Sequence, residues 1–209
     1  MRRRNEVIVE TKVYQTNQIS ELVKDLKAGH VVAVATDTVM GLTARADLLL
    51  AFERLKKVKG RPDNKPFPVM VANLNQLENI VDLSDKDNQL VTTWFPGAIT
   101  FILNKKQGSP VVASGKTLAV RIPDDNLLRE IVSRLDAPIF LTSANKSGQP
   151  TTMLAKEVLD IFNGEIKSVL LKDALGYQAS TIVDLTKDSM NIVRKGSISL
   201  EMILESLER

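Results

Sequence analysis

Short apolar runs, alternating along the chain with stretches of helical period, constrain this fold more than any other sequence feature. Segments 31–35, 67–71, 99–103, 118–122, 138–141, 169–171 and 181–183 each read as a buried strand, and Ile192-Val193 closes the series. Between them lie stretches of helical period. Ile19, Leu22, Val23 and Leu26 recur on one helix face, as do Leu128, Ile131, Val132 and Leu135, then Leu200, Ile203, Leu204 and Leu207. Asn17 is placed to cap the first helix, Gly29 to end it, and Asp124-Asp125 to open the second. Segment 47–59 is apolar early and basic late, which suits the helix macrodipole. Alternation of this kind predicts an α/β fold. Connections of uneven length predict a mixed sheet flanked by helices.

With 209 residues and no stretch rich in Gly, Pro or Ser to divide it, the chain is expected to form one domain over 1–209. The 44% apolar and 25% charged composition excludes wholesale disorder. The absence of cysteine excludes disulfides and thiolate chemistry, and one histidine excludes a zinc site of imidazole and thiolate ligands. No metal site is expected. A net charge of +3 is compatible with an anionic ligand. No apolar stretch approaches a membrane span, and Met1-Arg2-Arg3-Arg4 runs into Asn5-Glu6, not a secretory apolar core, so a cytoplasmic location without membrane contact is expected.

The chemistry collects where apolar runs end. Thr36-Asp37-Thr38 follows a strand and leads to Gly41, either as a turn capped by threonines or as hydroxyls that hold the polar head of an amino acid. Lys59, Arg61 and Lys65 cluster around Gly60 and Pro62. Such charge is either a solvated helix end or a phosphate clamp, in which arginine supplies a fork and lysine a mobile point charge. Arg121 sits in an apolar strand, where a buried guanidinium demands a carboxylate from the protein or from a ligand. Thr142-Ser143-Ala144-Asn145-Lys146-Ser147-Gly148 gathers polar groups around small residues that allow close approach of a ligand. Ser180-Thr181-Ile182-Val183-Asp184 leads on to Arg194-Lys195-Gly196. Ser114-Gly115-Lys116-Thr117 imitates a phosphate loop, but its spacing to Gly108 is wrong and Thr117 enters a strand, not a helix. No G-x-G-x-x-G is present. Hydroxyls, amides and cations at several strand ends point to a phosphorylated small molecule bound without a standard phosphate loop.

In order, these segments resemble the YrdC-like family, the L-threonylcarbamoyl-AMP synthases of tRNA modification. The resemblance rests on 35–42, 59–62, Pro96-Gly97-Ala98-Ile99-Thr100, Val120-Arg121, 143–148, 180–184 and 194–196, and covers about 17–205. It implies an open, twisted mixed sheet with flanking helices around a deep basic cleft. There, L-threonine, bicarbonate and ATP condense to threonylcarbamoyl-adenylate and pyrophosphate. By resemblance, Thr38, Arg121, Ser143 and Ser180 surround L-threonine. Lys59, Arg61, Lys65, Thr117, Asn145 and Arg194 hold ATP, with Lys59, Arg61 and Arg121 as the catalytic cations. Mg²⁺ is expected chiefly on the nucleotide, and a tRNA threonylcarbamoyl-transferase machinery is expected to take the product. Met40 and Met70 depart from the family pattern, which more often has an aromatic residue and a histidine there. Alternative readings are an RNA-binding module that uses the basic cleft for double-stranded RNA or tRNA, and carbamoyl transfer to another substrate.

Overall fold

The computed structural model describes residues 10–60, 66–176, 178–187 and 189–207. The first half of the chain forms β1 (Lys12–Tyr14), α1 (Ile19–Lys27), β2 (Val32–Val34), β3 (Gly41–Arg45), α2 (Leu49–Lys59), β4 (Val69–Met70), α3 (Leu74–Glu78) and α4 (Asp85–Trp94). The second half forms β5 (Ile99–Asn104), β6 (Thr117–Arg121), α5 (Asn126–Leu135), β7 (Ile139–Ser143), α6 (Ala155–Phe162), β8 (Ser168–Leu170), β9 (Thr181–Asp184), β10 (Asn191–Arg194) and α7 (Leu200–Leu207). All described strands join one sheet in the order β1-β8-β2-β3-β7-β4-β6-β5-β9-β10. It is mixed: β1–β8, β8–β2, β4–β6 and β5–β9 are parallel, and the other pairs antiparallel. Among the described residues no helix is long and apolar enough to cross a membrane.

The period-3.6 stripes find their partners on one face of the sheet. Leu22, Val23 and Leu26 of α1 and Leu128, Ile131, Val132 and Leu135 of α5 pack with Val32, Val34, Met70, Ile139 and Leu141. Each such side chain taken fully from water contributes about 1.5–3 kcal/mol. On the other face Leu55 of α2, Leu90 of α4, Phe162 of α6 and Ile203 of α7 join Ala33, Leu42, Phe101, Val120, Phe140 and Val183. The first face is not covered throughout. Register places Ile102, Ala119, Ile182 and Asp184 together on it, and all four remain partly exposed beyond the two helices.

Several local expectations need adjustment. The first helix is entered through a tight turn at Thr16–Gln18, closed reciprocally by Gln15 and Gln18, so Asn17 caps nothing. Gly29 follows the helix at φ +75°, as a terminator should. Asp125 does cap α5, accepting the Leu128 N–H at 2.9 Å. The 36–42 corner straightens into β3, whose period is masked because it is buried on both faces in mid-sheet. Helix α4 has only Leu90 and Val91 buried, too few for its period to show in the sequence.

Candidate active site

Three polar clusters form where the strands end. The first surrounds Arg121, the last residue of β6, whose side chain is only 3% exposed. Its Nε donates to the Gly97 carbonyl at 2.7 Å, one terminal nitrogen to Thr38 Oγ1 at 3.3 Å, and the other to Asp37 Oδ2 at 2.5 Å. Asp37 Oδ2 also accepts the Asp124 N–H at 3.1 Å. Thr36 shapes the loop that carries both partners: its hydroxyl accepts the N–H groups of Thr38 and Val39 at 3.0 and 3.1 Å. Gly97 must be glycine, because a Cβ would lie 2.5 Å from the Trp94 carbonyl oxygen. Burial pushes the Arg121 pKa down, Asp37 opposes that, and the nearby Arg194 charge pushes it down further. Burial also pushes the Asp37 carboxyl up, against the attraction of Arg121.

The second cluster joins β5, β9 and β10. Thr100 Oγ1 lies 2.8 Å from Ser180 Oγ, and Arg194 grips Ser180 with Nε on its carbonyl and a terminal nitrogen on its hydroxyl, both at 3.0 Å. Burial lowers the Arg194 pKa as well. Gly196 allows this crossing: a Cβ there would sit 2.4 Å from Thr181 N. The strand order β6-β5-β9-β10 sets this cluster beside the first.

The third cluster is held by Lys59, the last residue of α2. Its buried ammonium donates to Ser143 O at 2.5 Å, Asn145 O at 2.7 Å and Asn145 Oδ1 at 2.6 Å, with Ser143 Oγ at 3.3 Å. Ser143 Oγ donates to Asn145 Oδ1 at 2.6 Å, and Asn145 Nδ2 donates to the carbonyls of Lys146 and Gln149 at 3.1 and 2.5 Å. Main-chain contacts tie this cluster to the first. Ser143 pairs with Gly41, and Ala144 N donates to Met40 O at 2.8 Å. A crossing segment covers the Thr36–Thr38 loop: Leu175 N donates to Thr36 O at 3.2 Å, and a Cβ on Gly176 would lie 2.6 Å from Asp37 O.

Thr38 therefore joins Arg121, Ser180 joins Arg194, and Lys59 joins Ser143 and Asn145, in three strand-end groups of which the first and third are linked through the Met40-Gly41 main chain. Thr117 stands apart, exposed at the far end of β6 on the face that also carries Arg121. Arg61 and Lys65 lie outside the described residues. Among the described residues no three His, Asp or Glu side chains are grouped to hold a metal ion. Met40 lies wholly inside the core, so it lines no accessible surface, while Met70 is buried beside Ile139 and Leu141. Sequence reasoning named Asp37 and Thr100 within their segments but gave neither a role at the site. Arg121's need for a carboxylate was the signal for Asp37. Nothing in the sequence marked Thr100 as the neighbour of Ser180.

A family model described as Telomere recombination (Sua5_yciO_yrdC) matches residues 24–196. A Bacillus subtilis protein named threonylcarbamoyl-AMP synthase is 34% identical over 191 residues, 89% of this chain and 55% of its own length. One of the same name from Pyrococcus abyssi is 32% identical over 183 residues, 85% of this chain and 54% of its own. The chain thus spans about half the length of these curated relatives. The crystal structure of P. abyssi Sua5 complexed with L-threonine superposes with a TM-score of 0.87 at 27% identity, covering 94% of this chain and 60% of that one. Escherichia coli YciO shares the fold, with a TM-score of 0.84 at 22% identity over 92% of this chain and 99% of that one. By this match, and by strand ends that bring the same segments together, the chain belongs to the Sua5/YciO/YrdC family.

Proposed function

We propose that this chain is an L-threonylcarbamoyladenylate synthase that condenses L-threonine, bicarbonate and ATP. One observation carries the reading: two arginines, Arg121 and Arg194, each donate to a hydroxyl, Thr38 and Ser180, at the same end of the neighbouring strands β6-β5-β9-β10. Arg121 is buried and paired with Asp37, whereas Arg194 is exposed, so the positive charge gathered at this strand end suits the carboxylate or phosphate of a ligand. The names of the Bacillus and Pyrococcus relatives, and the threonine in the Pyrococcus complex, support the amino acid as that anion.

In this reading Thr38, Arg121, Ser143 and Ser180 hold L-threonine. ATP, entering as its magnesium complex, lies along the partly open face towards Thr117, with Arg61, Lys65, Asn145 and Arg194 on its phosphates. The threonine amine takes up bicarbonate with loss of water. An oxygen of the resulting carbamate attacks the α-phosphorus, and pyrophosphate leaves. No side-chain nucleophile takes part, so catalysis is positioning together with neutralisation of phosphate charge. Lys59 acts through the loop: with its ammonium bonded to Ser143 and Asn145, it holds that loop in place. The product is a mixed anhydride that water destroys, and a tRNA-modifying transferase is the proposed consumer. Purified protein with ATP, bicarbonate and single amino acids is expected to release pyrophosphate only with L-threonine. Release with no amino acid dependence, or salt-sensitive RNA binding without turnover, would overturn the proposal.

A further inference from the structure

Resting on that reading, we infer that Thr100 and Thr36 are positioning residues that fix the protons of Ser180 and Thr38, so that both front hydroxyls donate to the carboxylate of the amino acid. Lone pairs and protons set the direction of each bond. Thr100 is 1% exposed, and among the described residues its hydroxyl has one hydrogen-bond partner, Ser180 Oγ at 2.8 Å. A buried hydroxyl whose proton has no acceptor is disfavoured, so Thr100 donates and Ser180 accepts. Ser180 Oγ also accepts from Arg194 at 3.0 Å. A hydroxyl has two lone pairs and one proton. With both lone pairs taken, Ser180 can only donate to what comes next.

The same pattern recurs around Thr38. Thr36 Oγ1 accepts two backbone N–H groups, from Thr38 at 3.0 Å and Val39 at 3.1 Å. Its proton goes to the Val39 carbonyl oxygen at 2.7 Å, the shorter of two choices, the other being Thr38 Oγ1 at 2.9 Å. Thr36 then has no lone pair left for the Thr38 proton. Thr38, which accepts from Arg121 at 3.3 Å, therefore directs its own O–H away from Thr36, and the ligand's carboxylate receives it. Each arginine thus donates to a front hydroxyl that a second threonine orders from behind. Ser143 has the opposite polarity. Its proton is spent on Asn145 Oδ1 at 2.6 Å and one lone pair on the Lys59 ammonium at 3.3 Å, which leaves one lone pair to accept the N–H of the amino group. The site reads the two ends of an α-amino acid with opposite hydrogen-bonding polarity. This sets an orientation: carboxylate towards Thr38 and Ser180, amine towards Ser143.

The test is a comparison of Thr100→Val and Thr100→Ser in the threonine-dependent pyrophosphate assay. T100V keeps the shape and removes the donor. Its KM for L-threonine is expected to rise about tenfold, the scale of one buried hydrogen bond, with kcat and the KM for ATP little changed. T100S restores the hydroxyl and should restore the wild-type KM. If Thr100 works through Ser180, T100V adds nothing in a Ser180→Ala background. An unchanged threonine KM in T100V, a shift in the ATP KM instead, or additivity with S180A would overturn the inference. If T100V does not fold, a raised threonine KM in folded T100S would overturn it equally, because the hydroxyl is still present. Wild-type turnover separates the two levels. Its absence defeats the synthase reading, whereas turnover with an indifferent T100V defeats only the proton ordering.

Discussion

Replacing Arg121 by methionine removes three hydrogen bonds at once, to Gly97 O, Thr38 Oγ1 and Asp37 Oδ2. The larger effect falls on what stays behind. The Asp37 side chain is 11% exposed, and without Arg121 its Oδ2 keeps only the Asp124 N–H at 3.1 Å. Breaking a buried pair from one side generally costs about 3–5 kcal/mol, because the remaining charge is left largely out of solvent without its counter-ion. For a chain of this size each kcal/mol moves Tm by about 2–4 °C, so R121M should melt about 6–20 °C below wild type. Removing both charges is another matter. An Asp37→Leu/Arg121→Met double variant leaves no orphaned charge and should be more stable than R121M alone, with non-additive destabilisation in a thermodynamic cycle. Urea unfolding followed by circular dichroism measures all four proteins, and pyrophosphate release should be lost in both proteins lacking Arg121. If R121M melts within about 1 °C of wild type, or the cycle is additive within about 0.5 kcal/mol, the buried pair is not what organises this corner.

Two further variants probe other links. Lys59→Met removes the ammonium that gathers Ser143 and Asn145, which should lower stability by about 3 kcal/mol and raise the KM for ATP at least about tenfold as the 143–148 loop loosens; a wild-type melting curve with unchanged kinetics would contradict this. Tyr14 gives a prediction in pH. Burial, with Asp25 beside it, pushes its hydroxyl up from 10.0 to about 12. The folded protein thus keeps a proton that the unfolded chain has already lost, and stability falls as pH rises through that range. Tyr14→Phe should flatten the decline between pH 10 and pH 12 in urea titrations, and an equally steep decline in the variant would place its cause elsewhere.

Much of the fold was legible because it follows from burial. The stripes of α1 and α5 and the runs of β5, β6 and β7 are hydrophobic where the sheet requires them, and the structure places them in its two cores. Elements with little to bury were not legible. Strand β1 exposes two of its three residues, and α3 buries only Leu77. At the site, residue type revealed chemistry but not partnership. Arg121 announced its need for a carboxylate, yet Asp37 lies 84 positions away and only the meeting of β6 with the Thr36–Thr38 loop brings them together. Thr100 and Ser180 are likewise neighbours only through the pairing of β5 with β9. The alternation within β6 that sets Thr117 and Arg121 on one face was visible in the sequence. The Lys59 contacts with Ser143 and Asn145 depend on where α2 ends against β7, which no local pattern specifies.

In the proposed reaction a carbamate made from bicarbonate meets the α-phosphorus of ATP at these strand ends. Mass spectrometry of the nucleotide product formed from L-threonine, ATP and ¹³C-bicarbonate tests it directly. The account predicts an adenylate that carries one threonine and one labelled carbon. An unlabelled threonyl-adenylate, or AMP released without any amino acid adduct at the earliest times, would contradict it.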